Sequence, residues 1–178
     1  MPIGLKRWQH EGHLHFITFS CYERRPFLNT NHARILFEEQ LETLRLRHNF
    51  EVHGYVLMPE HVHFLMSEPK IGSVASTLRV LKGETSKKLK GTRDHFWQPR
   101  YYDFNVFTHG KFIEKLKYMH RNPVARDLVK KPEDWPWSSF NHWATGSQGR
   151  IEIESHWTFA RRECSASQPS THSSQRTR

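Results

Sequence analysis

The chain has 178 residues, enough for one compact domain with its own core. Its 27 Lys and Arg against 18 Asp and Glu leave a formal charge of +9, which favours polyanionic partners, nucleic acid before an anionic membrane. With two cysteines (Cys21 and Cys164), no run of about 18 apolar residues and no apolar signal-peptide stretch, a disulfide scaffold and a spanning helix are excluded and a reduced, cytoplasmic setting is expected.

Residues 13–22, HLHFITFSCY, are predicted as a strand, with Leu14, Phe16, Ile17 and Phe19 as its apolar content and Thr18 adding β preference. Residues 31–47 follow as a helix. Ala33, Ile35, Leu36, Leu41 and Leu44 recur near helical spacing, and Thr30 or Asn31 can cap it. Residues 51–58 and 61–67 are two strands separated only by Pro59 and Glu60, which reads as an antiparallel hairpin. Gly72 and Ser73 open a second helix that runs to about Leu89. Residues 96–106 contain a further strand, rich in aromatics. Residues 111–122 form a third helix, ended by Pro123 because a residue before proline avoids helical geometry. WPWSSF (135–140) reads as an aromatic turn over one end of the domain. Residues 1–161 are taken as the domain. Residues 162–178 are Ser-rich, nearly devoid of apolar content, and read as a disordered tail. The order predicts an α+β fold, one antiparallel sheet packed with helices, compatible with a ferredoxin-like arrangement.

Alternation along the second hairpin strand separates its side chains. Val62, Phe64 and Met66 share a wholly apolar face that should point at the core, while His61, His63 and Leu65 share the other. Two imidazoles two apart on a strand can aim at one point and are common metal ligands. Two exposed strand histidines without a role would show the same spacing, and a third ligand must come from elsewhere. His13 and His15 form a rival pair with nothing nearby to complete it.

On the third helix Phe112, Ile113, Leu116 and Met119 make the apolar stripe, and Tyr118 lies off it. Its helical neighbours are Glu114, Lys115, Arg121 and Asn122, all polar. Tyr118 and Asn122 are four apart and share a face, so a phenol and an amide oxygen suited to a hard cation can arrive together. A surface tyrosine and a helix-ending asparagine would read the same.

Four segments occur in order: YVLMPEHVHFLM, FWQPRYYDF, YMHRNPVARDLV and WPWSSF. Together they resemble the REP-associated tyrosine transposases, relatives of the small insertion-sequence transposases with one catalytic tyrosine. The resemblance runs from about Leu14 to Trp143. It implies a histidine–hydrophobe–histidine metal motif at His61, Val62 and His63, a catalytic tyrosine at Tyr118, and a third ligand at Asn122, where the insertion-sequence relatives usually have glutamine. Glu60 stands where asparagine is frequent and is given no role beyond the turn. The resemblance further implies a ferredoxin-like sheet with the tyrosine helix near the histidines. It also implies binding of single-stranded palindromic hairpins and cleavage next to them, in association with the nucleoid. Insertion-sequence relatives are dimers that trade tyrosine helices and repeat-associated ones can be monomers; the sequence does not decide between these.

The chemistry expected is transesterification. Mg²⁺ or Mn²⁺ on His61, His63 and Asn122 would polarise the phosphate, and Tyr118 would attack phosphorus to leave a 5′-phosphotyrosine link and a 3′-hydroxyl. No general base is identified. For DNA binding the candidates are Arg79, Lys82, Lys87, Lys88, Lys90 and Arg93, with Lys115 and Arg121 beside the tyrosine. Trp97, Tyr101 and Tyr102 can stack bases, although most of these aromatics suit a core. Two rivals stand: a non-catalytic single-stranded nucleic-acid-binding module of ferredoxin-like fold, against which no RNP-like aromatic motif is found, and a hydrolase that uses water and leaves no protein on the DNA.

Overall fold

Alternating apolar residues build a four-stranded sheet in the computed structural model, which describes residues 12–166. The strands are β1 (Leu14–Ser20), β2 (Val52–Leu57), β3 (His61–Met66) and β4 (Tyr102–Val106). Their spatial order is β2-β3-β1-β4 with every neighbouring pair antiparallel. Helix α1 (Asn31–His48) joins β1 to β2, and α2 (Val74–Leu89) joins β3 to β4. This is the ferredoxin-like order, and the fold is α+β as the element pattern predicts.

Both sheet faces are covered. Ile17, Phe19, Val62, Phe64 and Met66 pack with Phe37, Leu41 and Leu44 of α1 and with Val74, Leu78 and Leu81 of α2. Phe16, Val56 and Leu65 point the other way, against Leu116 and Met119 of α3 (His109–Ala125). Each such side chain, fully buried, stabilises the fold by roughly 1.5–3 kcal/mol. The second layer needs a close approach, and Gly54 of β2 permits it. A Cβ there would lie 2.6 Å from Leu116 Cδ2.

Local signals explain the helix starts. Thr30 accepts from the Ala33 amide, Ser73 and Ser76 cap each other reciprocally, and Thr108 accepts from Lys111. Asn49, left-handed at φ 52°, ends α1.

Two expectations differ from the structure, and a third is met over a narrower range. Pro123 does not end α3, which continues to Ala125. The missing N–H falls in the last turn, where only one intrahelical bond is lost, and the buried Asn122 and Pro123 hold the turn by packing. The strand expected within residues 96–106 is present and occupies the last five of them. Ahead of it Trp97 is core, edge-on to Phe19 and donating to Thr85 Oγ1. A helix that the composition did not suggest, α5 (His156–Ala166), runs past Arg161 into the segment read as a disordered tail. The remainder of that segment, 167–178, lies outside the described residues.

The WPWSSF segment closes the β2 edge. Leu57 N–H donates to the Trp137 carbonyl, Ser139 N–H donates to that of Tyr55, and the Trp135 indole donates to the Leu57 carbonyl. Arg34 lies over both Trp135 and Trp137. The short helix α4 (Phe140–Thr145) follows directly. Among the described residues no helix is long and apolar enough to cross a membrane.

Candidate active site

His61 and His63 stand on β3 facing α3, and that helix buries them to 3% and 4% exposure. They are therefore neither exposed strand histidines nor packing residues on the apolar face. Their Nε2 atoms are 2.9 Å apart. Each ring is anchored by its other nitrogen. His61 Nδ1 donates to Glu60 Oε1 at 2.9 Å, and His63 Nδ1 lies 2.6 Å from Thr18 Oγ1 on the neighbouring strand. The register explains the latter contact, because Thr18 is directly opposite His63. Phe16 stacks on the His63 ring, 5.5 Å between centroids.

From α3, Asn122 brings its amide group 3.0 Å from His63 Nε2. Nδ2 is the atom that faces the imidazole, and a half-turn of the amide presents Oδ1 to the same point. Tyr118, one helical turn earlier, sets its ring 5.2 Å from that of His63 and edge-on to Phe16. It remains 52% exposed. A phenol off the apolar stripe thus faces solvent and the paired imidazoles at once.

These side chains line one cleft of about 400 Å³, together with Phe16, Thr18, Arg24, Tyr102, Lys115 and Arg126. Burial lowers the His61 pKa, and the Glu60 carboxylate opposes this only in part. His63 is pushed down to about 3, first by burial and then by His61 and the charges of Arg24, Lys115 and Arg126. Both rings are neutral at neutral pH, the state in which imidazole binds metal. Among the described residues no three His, Cys, Asp or Glu side chains form a metal-holding group. The donor set is therefore two imidazoles and an amide, with both outer ring nitrogens already engaged. That chemistry fits a divalent ion whose remaining partners are not protein.

The structure does not bring every candidate here. Lys115 reaches the cleft, its ammonium over the Phe16 and Phe104 rings. Arg121 is exposed on α3 outside the cleft lining. Arg79, Lys82, Lys87 and Lys88 ride on α2, behind the sheet, with Lys90 and Arg93 just beyond its end. Lys82 donates to the carbonyls of Gln98 and Pro99, Lys87 pairs with Glu84, and Arg93 donates to the carbonyls of Leu89 and Lys90. Of the aromatic candidates Tyr102 lines the cleft, whereas Tyr101 packs against the core. The rival histidine pair is elsewhere: His15 is buried with Asp103 at 2.8 Å and Glu68 at 3.4 Å. Burial opposes its charge, but the two carboxylates outweigh burial and raise its pKa.

Sequence reasoning missed Arg24, Thr18 and Arg126, and gave Glu60 only a turn. Glu60 in fact holds His61 and lies 3.4 Å from Arg126. An acidic residue directly before a ligand-type histidine was the available signal. Thr18 could be found only through the strand register.

The class of protein is thus an α+β domain of ferredoxin-like order that lays a tyrosine helix across a paired-histidine strand. The chain belongs to the IS200-like transposase family, whose profile matches residues 8–122. It is similar to the REP-associated tyrosine transposase of Escherichia coli K12, 28% identical over 137 residues, which are 76% of this chain and 81% of that protein. A Haemophilus influenzae protein provisionally given the same name is 24% identical over 144 residues, 74% of this chain and 81% of that one. The fold matches a solved REP-associated tyrosine transposase bound to a REP hairpin, with a TM-score of 0.70 at 23% identity, over 87% of this chain and 93% of that one.

Proposed function

We propose that this chain is a metal-assisted DNA endonuclease of the transposase type. It binds single-stranded hairpin DNA of the REP kind and cuts and rejoins it through a 5′-phosphotyrosine link on Tyr118. The observation that carries this reading is that His61, His63, Asn122 and Tyr118 meet in one cleft, from strand and helix of one chain. The hairpin named for the solved relative supports the substrate class.

His61, His63 and the Asn122 amide oxygen would hold Mg²⁺ or Mn²⁺, which when bound polarises a non-bridging phosphate oxygen. The protein's own groups account for the rest. Glu60 and Thr18 keep both imidazoles aimed inward. Tyr118 Oη forms a bond to phosphorus as the bond from phosphorus to the 3′ oxygen breaks. The phenol proton leaves to solvent and the 3′ oxygen takes one up, giving a free 3′-hydroxyl. One phosphodiester replaces another, so a 3′-hydroxyl attacking the tyrosyl phosphate rejoins DNA without ATP. A stem long enough to pass behind the sheet would meet the exposed cations Arg79 and Lys88 on α2, which makes binding salt-dependent.

The test is Tyr118→Phe with 3′-labelled hairpin DNA and Mn²⁺. The wild-type chain should leave label on the protein in a denaturing gel. The variant should leave none while keeping its hairpin affinity. An adduct formed by Tyr118→Phe would assign the nucleophile elsewhere, and cleavage without any adduct would indicate a water-using hydrolase.

A further inference from the structure

The turn between β1 and α1 holds a conformation that its residues do not favour. Glu23 and Arg24, neither of them glycine, are both left-handed, with φ 51° and φ 54°. Two successive strained residues persist only where the surroundings hold them, and such strain collects at functional sites. Here the surroundings are the histidine turn itself. Cys21 N–H donates to the Glu60 carbonyl at 2.8 Å, and Leu28 N–H donates to that of Pro59 at 2.9 Å. The loop is thus fastened at both ends to the two residues that precede His61.

The outcome of that strain is the placement of one guanidinium. Arg24 lines the cleft with His61, His63 and Tyr118. Its positive charge helps to hold down the pKa of both imidazoles. The other cations nearby are engaged: Arg25 pairs with Glu23 at 3.1 Å, Arg126 with Glu60 at 3.4 Å, and Lys115 lies over two rings with Glu114 at 3.6 Å. Among the described residues Arg24 has no acidic partner. An unpaired guanidinium aimed into a basic, half-open cleft suits a phosphate, which it can bind through two parallel N–H bonds.

Resting on the reading of Tyr118 as nucleophile, we propose that Arg24 is a catalytic residue: its guanidinium binds the non-bridging oxygens of the scissile phosphate and offsets the charge that builds there as the tyrosyl bond forms. Arg24 transfers no proton. It acts while the bond from Tyr118 Oη to phosphorus forms and the bond from phosphorus to the 3′ oxygen breaks, and it stays charged throughout. The left-handed turn is the device that fixes it in place before DNA arrives.

The strain supplies the discriminating experiment, which is Arg24→Gly. Glycine adopts positive φ without penalty, so a residue with a purely structural role and one that contacts substrate give opposite results. Three quantities are to be measured: the melting temperature, hairpin affinity by fluorescence anisotropy, and the single-turnover rate of adduct formation at saturating hairpin with Mn²⁺. The melting temperature should stay level or rise, and affinity should change by only a few-fold. The adduct rate should fall by about 10²–10³-fold, as when one charge-stabilising donor is removed from an active site. Arg24→Lys, which keeps the charge but loses the fork, should recover part of that rate. An Arg24→Gly rate within a few-fold of wild type, while Tyr118→Phe abolishes the adduct, overturns the role of Arg24 and leaves the nucleophile intact. A wild-type chain that forms no adduct removes the reading of Tyr118 and this proposal with it.

Discussion

His61 and His63 direct their Nε2 atoms at each other across 2.9 Å, while Glu60 and Thr18 occupy the opposite nitrogens. Two ring nitrogens at that distance need a proton or a cation between them, since lone pairs would otherwise meet. The outer partners decide how the rings are oriented, and the inner pair is left for a ligand.

Ion binding should follow from that arrangement. His63→Ala is expected to abolish Mn²⁺ binding measured by calorimetry. Thr18→Val removes only the outer partner of His63 and should weaken binding by about 10–100-fold. Equal Mn²⁺ affinity in wild type and His63→Ala would place the ion elsewhere.

Action within one chain is the second expectation. Tyr118 lies beside His63 of its own chain, 5.2 Å between ring centroids. Mixing Tyr118→Phe with His63→Ala protein should therefore restore no adduct. Recovery on mixing would mean that chains exchange α3.

Gly54 offers a packing test. A methyl group there meets Leu116 Cδ2 at 2.6 Å and Met119 Cε at 3.1 Å. Gly54→Ala should destabilise the fold by about 1–3 kcal/mol in urea unfolding, the usual cost of overpacking. Leu116 is two residues from Tyr118, so cleavage should fall as well. An unchanged unfolding midpoint would show that α3 can lift off β2 at little cost.

Acid should loosen the domain before its carboxylates titrate. His120 is buried, bonded to Ser139 Oγ at 2.9 Å, and burial pushes its pKa down to about 4. The unfolded chain takes up a proton on this group below its ordinary value of 6.5, whereas the folded chain does not. Stability is therefore complete above about pH 6.5 and falls between there and about 4, by at most about 1.4 kcal/mol per pH unit from this residue. His53, His61, His63 and His142, also lowered by burial, add to the fall, and the raised His15 opposes it. Urea midpoints from pH 7 to pH 5 should show a shallower slope in His120→Gln than in wild type. Parallel slopes would remove His120 as a source.

The sheet and its order were legible because periods of two and of 3.6 alternate cleanly along residues 14–122. The facing of His61 and His63 could be read from Val62, Phe64 and Met66, which leave them no other side. Their burial could not, because it depends on α3 crossing that face at Gly54. Tyr118 was legible as a polar-flank tyrosine on an amphipathic helix. Its nearness to His63 is tertiary and came only from the motif resemblance. Arg24 carried no periodic signal, since its position results from two left-handed residues held by hydrogen bonds from distant backbone. Pro123 was misread because a local preference lost to packing in a final helical turn. Helix α5 was missed because its apolar residues are few; its start is marked by Ser155, which accepts from the Thr158 amide and is itself held by His142 of α4.

Tyr118 and Asn122 occupy successive turns of a single rod. If Tyr118 carries a DNA end as proposed, a tilt of the helix that lets one strand go and another come in would also withdraw the Asn122 amide from the imidazoles. Under the proposed mechanism, strand exchange and loosening of the ion would be one movement.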